Sequence, residues 1–150
     1  MPPAIRATAL ALIFHGDRLL VSEGYDDVKR QRFYRLLGGG IEFGETGAAA
    51  IAREVGEEIG ARVAGAEYLA TLENIFVYLG IPGHEIARIY AVALAELPSQ
   101  TGDQILRLDE TRAERTIWMP VEAFLAGREK LYPDGIVDVV DAEWRRRGAV

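Results

Sequence analysis

Apolar runs with short periods along the chain predict a set of β-strands and two amphipathic helices. The predicted strands cover residues 5–14, 18–23, 32–37, 61–80, 84–97 and 115–120. His15-Gly16-Asp17 is a turn signal between the first two strands, and Gly80-Ile81-Pro82-Gly83 is one between the fourth and fifth. Helices are predicted over 46–59 and 133–147. The second helix carries apolar residues on one face: Ile136, Val137, Val140 and Trp144. The pattern therefore indicates an α+β fold.

The first predicted helix has clear end signals and two distinct faces. Thr46 can cap its N-terminus, and Gly60 stands where a left-handed C-terminal cap is expected. At about 100° per residue, one stripe should be buried, namely Ala48, Ala52, Val55 and Ile59. Three acids fall on an adjacent face, namely Glu54, Glu57 and Glu58. Like charges at these spacings cost a few tenths of a kcal/mol per pair, which a divalent cation with oxygen ligands would remove. Taken alone, however, an acidic helix face is usually just solvated.

Composition and charge narrow the class of protein. A chain of 150 residues that is 49% hydrophobic and 27% charged is typical of a soluble protein with one domain, here 1–150. It has no cysteine, so disulfides and thiolate metal sites are excluded. Without a signal-peptide pattern or an apolar run near 20 residues, we expect a cytoplasmic protein with no membrane partner. The net charge of −6 argues against an extended nucleic-acid surface but permits a small phosphorylated substrate. A homodimer is left open.

A short basic run, "KRQRFYR" over residues 29–35, leads into three consecutive glycines. One interpretation is a solvated edge strand with a basic outer face, which the sequence alone favours. The other is a substrate site, in which Arg32 and Arg35 hold phosphate oxygens and Tyr34 stacks on a base. The position of the run, directly before the glycines, keeps the second interpretation open.

Glycines and acids then recur at a defined spacing. Gly39 is followed after five residues by Glu45, and after seven more by Arg53-Glu54-Val55-Gly56-Glu57-Glu58-Ile59-Gly60-Ala61. This spacing matches the Nudix box at nearly every defined position, and the chain therefore resembles the Nudix hydrolases (MutT-like). Two positions depart from the family pattern. Leu37 stands where many members have proline, and Ala61 is smaller than the usual aliphatic residue. Neither is a metal-binding position.

The resemblance implies a fold and an activity. The fold is an α/β/α sandwich with a mixed central sheet. The activity is divalent-metal-dependent hydrolysis of a nucleoside diphosphate linked to another group, which releases a nucleoside monophosphate. The candidate substrates are nucleoside triphosphates, ADP-ribose, dinucleoside polyphosphates and nucleotide sugars. The alternative is a catalytically idle Nudix-like domain that senses nucleotides, although a sensor has no need to retain every acid of the box.

The resemblance also implies roles for individual residues. The Gly38 carbonyl, Glu54 and Glu58 would bind Mg²⁺, for which Mn²⁺ can substitute. Glu57 would act as a further ligand or as the general base. Glu45 and Arg53 would pair and so orient the acidic cluster.

The identity of the general base stays open. Some family members use a glutamate from a loop outside the box. Glu110 and Glu114 precede a Trp-Met-Pro segment similar to one that often follows that loop. Glu114 is slightly favoured, and Glu57 remains the candidate within the box.

Overall fold

The computed structural model describes residues 3–98, 104–105 and 115–148. The strands in this part of the chain are β1 (Arg6–Leu12), β2 (Phe14–His15), β3 (Arg18–Asp26), β4 (Gln31–Gly40), β5 (Val63–Tyr78), β6 (Ile81–Leu94), β7 (Gln104–Ile105), β8 (Arg115–Pro120) and β9 (Leu131–Tyr132). The helices are α1 (Gly47–Ile59), α2 (Val121–Leu125) and α3 (Ile136–Arg146). Within these ranges, no helix is both long enough and apolar enough to cross a membrane.

The strands form one mixed sheet. Their order is β5-β6-β1-β4-β3-β8-β7, with β2 paired to β3 and β9 paired to β4. The pairs β1–β6 and β4–β9 are parallel, and the other pairs are antiparallel. Because β4 lies between β1 and β3, the favoured interpretation of residues 29–35 as a solvated edge strand is wrong. Phe33 and Tyr34 are both buried there.

Helices cover both faces of the sheet. On one face, Ile51 and Val55 of α1 belong to a buried cluster that includes Trp118. On the other face, Phe124 of α2 and Val140 of α3 belong to a second buried cluster. The expected α/β/α sandwich with a mixed central sheet is therefore confirmed.

The ends of α1 were predicted correctly, and so were two of the four residues of its buried stripe, Val55 and Ile59. The Ala49 N–H donates to the Thr46 hydroxyl at 3.1 Å, and Gly60 has φ of 67°. Ala48 and Ala52 are exposed. Besides Val55 and Ile59, the helix buries Ala50, Ile51 and Glu58. Burying an isoleucine removes more apolar surface from water than burying an alanine does, so the helix faces the core with its Ile51 side.

The long hairpin of β5 and β6 turns two residues earlier than the turn signal suggests. Tyr78 pairs with Ile81, so Leu79 and Gly80 alone form the turn. Both have positive φ, 52° and 78°, which is typical of a type I′ hairpin turn. The three short elements α2, β7 and β9 have too few residues for a periodic pattern, and the sequence did not predict them.

Candidate functional site

The end of β4 brings two carboxylates of α1 against consecutive glycines. Gly38 has φ of 139°, and a Cβ at this position would lie 2.1 Å from the Ala9 carbonyl oxygen. Its N–H donates to Glu58 Oε1 at 3.0 Å. A Cβ on Gly39 would lie 2.5 Å from Glu54 Oε1. Only glycines leave room for this close approach of backbone and carboxylate.

Arg53 connects the acids of the box to one another. Its Nε and NH2 atoms donate to the two carboxylate oxygens of Glu45, both at 2.9 Å. The same NH2 donates to the Gly40 carbonyl at 2.9 Å, and NH1 donates to Glu54 Oε1 at 2.9 Å. Glu57 Oε2 lies 3.5 Å from NH1. The expected pairing of Glu45 with Arg53 is therefore present, and it holds Glu54 in place.

These contacts shift the pKa values of Glu45 and Arg53. Hydrogen bonds from Arg53, and then from the Glu42 N–H, lower the pKa of Glu45 to about 2. The hydrogen bond with Glu45 raises the pKa of Arg53, and the bond with Glu54 raises it further. Both groups are thus ionised at neutral pH. The guanidinium offsets part of the negative charge of the cluster.

The donor atoms of this cluster suit a divalent cation. Carboxylate oxygens are the ligands that Mg²⁺ and Mn²⁺ prefer, and Glu54 and Glu58 meet at adjacent glycines. The three acids differ in exposure: the side chain of Glu57 is 58% exposed, that of Glu54 is 19% exposed, and Glu58 is 4% exposed. In the described ranges, no three acidic or histidine side chains are gathered closely enough to hold an ion as they stand. The fit of this site to a metal ion therefore rests on its carboxylate donors and on the close approach of Glu54 to Gly39, not on a preformed cluster of ligands.

A cavity begins at these glycines. This inner cavity has a volume of about 150 Å³, and its lining includes Gly38, Gly39 and Glu58. An open outer cleft of about 870 Å³ is lined by Arg32 and Arg115 among others. The two share five lining residues, namely Arg6, Arg35, Phe76, Tyr78 and Glu85. The inner cavity and the outer cleft are therefore adjacent, and Glu58 of α1 lies in the wall of the inner cavity.

The three residues predicted to contact substrate lie in different places. Arg35 lines both the inner cavity and the outer cleft, whereas Arg32 lines the outer cleft alone. Tyr34 is 3% exposed, packs in the core and lines neither opening, which corrects the prediction for its side chain. Side chains alternate along a strand, and the preceding residue, Phe33, lines the inner cavity instead.

The loop candidates for the general base, Glu110 and Glu114, lie outside the described residues. Arg115, which directly follows Glu114 in the sequence, begins β8 and lines the outer cleft. Its guanidinium donates to Glu23 Oε2 at 3.0 Å.

Several lining residues carry no local sequence signal. Arg6 of β1 and Glu85 of β6 pair across parallel strands, with 3.3 Å between Arg6 NH1 and Glu85 Oε2. Asn74 and Phe76 enter from β5. Only the long-range strand pairing brings these residues to the cavity, and periodicity within a single segment does not reveal that pairing.

Comparison with known proteins agrees with this geometry. A family model described as NUDIX domain matches residues 4–138. The fold is similar to that of a MutT NUDIX hydrolase from Burkholderia pseudomallei, with a TM-score of 0.64, 18% identity, and coverage of 91% of this chain and 95% of that one. It is also similar to a NUDIX hydrolase from Nitrosomonas europaea, with a TM-score of 0.67, 16% identity, and coverage of 97% and 90%. The structure of an ADP compounds hydrolase has a TM-score of 0.65 and 19% identity, with coverage of 99% and 77%.

Proposed function

The chain belongs to the NUDIX family, and on this basis we propose that it is a single-domain, divalent-metal-dependent pyrophosphohydrolase. Its substrate would be a nucleoside diphosphate linked to another group, cleaved at the pyrophosphate bond to release a nucleoside monophosphate. One observation carries the proposal: the glycines and Glu58 of the box form a wall of the cavity that adjoins the arginine-lined cleft. As a hydrolase of small nucleotides, it would act in the cytoplasm.

The carboxylates of the box would hold the metal. Glu54, Glu58 and the Gly38 carbonyl are the proposed ligands, with Mg²⁺ as the ion and Mn²⁺ as a substitute. Such an ion neutralises diphosphate charge and lowers the pKa of a water bound to it. Arg53 would act through Glu54, because its hydrogen bond at 2.9 Å fixes where that carboxylate can lie.

Arginines would bind the phosphates and the second group of the substrate. Arg35 lines both openings, so its guanidinium can reach a ligand that extends from the inner cavity into the outer cleft. Arg32 and Arg115 add positive charge to the cleft, although each is paired with a glutamate, Glu129 and Glu23 respectively.

We expect Arg35→Ala to raise KM while kcat is nearly preserved, because a phosphate contact made equally in ground and transition states affects binding alone.

The experiment that tests the proposal is a screen of the purified protein against a nucleotide panel. The panel contains nucleoside triphosphates, ADP-ribose, dinucleoside polyphosphates and nucleotide sugars, each with Mg²⁺, Mn²⁺ or a chelator. Metal-dependent release of a nucleoside monophosphate, resolved by chromatography, is the expected result. Binding of a nucleotide without turnover under every condition would contradict it and favour the alternative of a catalytically idle sensor.

A further inference from the structure

Two buried polar atoms of the inner cavity have no hydrogen-bond partner among the described residues. They are Asn74 Oδ1 and Thr8 Oγ1. Asn74 is 7% exposed and Thr8 is 3% exposed, and both residues line the inner cavity. Buried polar side-chain atoms in native proteins are nearly always paired, so two unpaired atoms in one cavity point to a ligand that pairs them.

The strand register places the two residues at different ends of the cavity. Thr8 of β1 pairs with Gly40 of β4, next to the glycines of the box. Asn74 of β5 pairs with Glu85 of β6, and Glu85 in turn pairs with Arg6 of β1. Asn74 therefore lies two strands away from β1, on the side away from the box. We call this part of the inner cavity, around Asn74 and Phe76, the far end.

Aromatic rings accompany the amide in the inner cavity. Phe76 follows Asn74 by two residues on β5, so both side chains point to the same face of the sheet. Phe33 meets Tyr78 and Tyr132 edge-on, with ring centroids 5.6 Å and 5.5 Å apart, and all three rings line the cavity. The inner cavity therefore combines a polar acceptor with aromatic rings, which suits a flat heterocycle that stacks by its face and donates from its edge.

We propose that the far end binds the nucleobase of the substrate and that Asn74 is a specificity-determining residue. An N–H on the edge of the base donates to Asn74 Oδ1, and the Thr8 hydroxyl contacts the nucleoside closer to the glycines. The inference rests on the proposed hydrolysis of nucleotides, and it orients the substrate. The base lies at the far end, and the diphosphate lies at the Gly38–Glu58 end.

Asn74→Leu tests this proposal because leucine has a similar size and no polar atom. The unpartnered acceptor costs free energy in the ligand-free protein, so this variant should have a Tm at least equal to that of the wild type. A rise of a few degrees is expected. The control is Glu73→Leu, which places the same side chain one residue away, on the opposite and exposed face of β5. It should leave KM unchanged.

The kinetic test uses the best nucleotide of the panel and an analogue whose base N–H is blocked by a methyl group. In Asn74→Leu, KM for the parent nucleotide should rise about 10-fold or more, the effect of losing one hydrogen bond in a dry site, while kcat changes little. The wild type should discriminate against the methylated analogue, and Asn74→Leu should not. This loss of discrimination ties the amide to the base edge, which a purely structural role for Asn74 does not predict.

The outcomes separate this proposal from the proposed function. If the wild type hydrolyses no nucleotide, the proposed function is wrong. Calorimetric binding of nucleoside monophosphates to the wild type and to Asn74→Leu then tests the role of Asn74, with the same loss of affinity expected. If the wild type is active but Asn74→Leu keeps its KM and its discrimination, the base does not bind at Asn74. A lowered Tm with unchanged KM would likewise overturn the proposal, because it would mean that the amide serves the fold through an internal water.

Discussion

At the scale of single residues, one guanidinium organises the acidic site. Arg53 donates to Glu45, Glu54 and the Gly40 carbonyl, each at 2.9 Å. A lysine ammonium has three N–H donors on a single nitrogen and cannot reach these four acceptor atoms in the same fork-shaped geometry. The two oxygens of Glu45 are both engaged, which is the bidentate arrangement that gives charge-assisted hydrogen bonds their directionality.

This pairing predicts a pH dependence of stability. The pKa of Glu45 is about 2 in the folded protein, below the ordinary value of 4.5, because Arg53 and the Glu42 N–H bond its ionised form. Its stabilisation is therefore complete above about pH 4.5 and is lost as the pH falls toward 2. We expect Glu45→Gln to lower the Tm at pH 7 and the difference from wild type to shrink steadily below pH 4.5. A difference in Tm that stays constant from pH 7 to pH 2 would contradict this account.

Glu58 gives the second prediction at this scale. Its side chain is 4% exposed and accepts from the Gly38 N–H, so Glu58→Gln can keep that hydrogen bond through the amide oxygen. We expect kcat to fall by orders of magnitude because a neutral amide is a poor ligand for a divalent cation, while the Tm stays close to that of wild type. The control is Glu96→Gln, which changes an exposed glutamate paired with Arg62. Undiminished turnover of Glu58→Gln at saturating Mg²⁺ would remove Glu58 from the ligand set.

Residues of the site were predictable from the sequence only where they share one segment. Glu45, Arg53, Glu54 and Glu58 lie within 14 positions, and the resemblance carries their pairing. Arg6, Asn74 and Glu85 reach the same cavity from three other strands, and nothing in their immediate neighbours marks them. Tyr34 was misplaced because a one-residue step along a strand reverses the direction of the side chain.

At the scale of elements, α1 shows what a periodic pattern can predict. The caps at Thr46 and Gly60 were correct because they depend on local backbone conformation. The buried stripe was correct at Val55 and Ile59 and wrong at the two alanines, because the sheet beneath the helix determines which face packs. Burial of Ile51 rotates the helix so that Ala52 is exposed and Glu58 is buried. This rotation also places Glu58 against the β4 backbone.

The junction of β4 with β1 yields the prediction at this scale. Gly38 has φ of 139°, and a Cβ there would lie 2.1 Å from the Ala9 carbonyl oxygen, which belongs to a paired strand and cannot move aside. We expect Gly38→Ala to destabilise the fold by at least about 2 kcal/mol in urea unfolding. Gly65→Ala is the control, because Gly65 has no positive φ and no atom within 4 Å of its added Cβ. It should be neutral or slightly stabilising. Equal midpoints for the two variants would show that the backbone at Gly38 is not constrained.

At the scale of the whole molecule, distant turns meet around the cavity. Both carboxylate oxygens of Asp26 accept backbone N–H groups: Oδ1 from Val28 and Lys29 in the turn after β3, and Oδ2 from Leu79 in the β5–β6 turn, at 2.9, 3.0 and 3.1 Å respectively. These bonds, with the one from the Lys29 N–H as the largest cause, lower the pKa of the Asp26 carboxyl. The strands themselves were largely predictable from their apolar runs. The order of the strands was not predictable, because it depends on contacts between residues that are far apart in the sequence. The hydrogen bond between Asp26 and Leu79, which are 53 positions apart, is one such contact.

The last prediction separates two mechanisms that draw on different parts of the molecule. If Glu54 and Glu58 hold a cation, their oxygen lone pairs are committed to it and they are poor proton acceptors, which leaves Glu57, Glu110 and Glu114 as candidate bases. Glu57 lies on α1 and is 58% exposed, whereas Glu114 precedes Arg115, which lines the outer cleft.

We expect Glu114→Gln to cut kcat steeply, with the Mn²⁺ affinity measured by titration nearly unchanged. Glu110→Gln and Glu57→Gln should keep most of the activity, and Glu57→Gln should shift the Mn²⁺ titration if that residue is a ligand. The pH–rate profiles of the three variants decide the question, because only loss of the true base removes the acidic limb of the profile. If Glu57→Gln alone loses that limb, the base belongs to the box. If all three variants keep the limb, the exclusion of Glu54 and Glu58 based on metal binding is wrong.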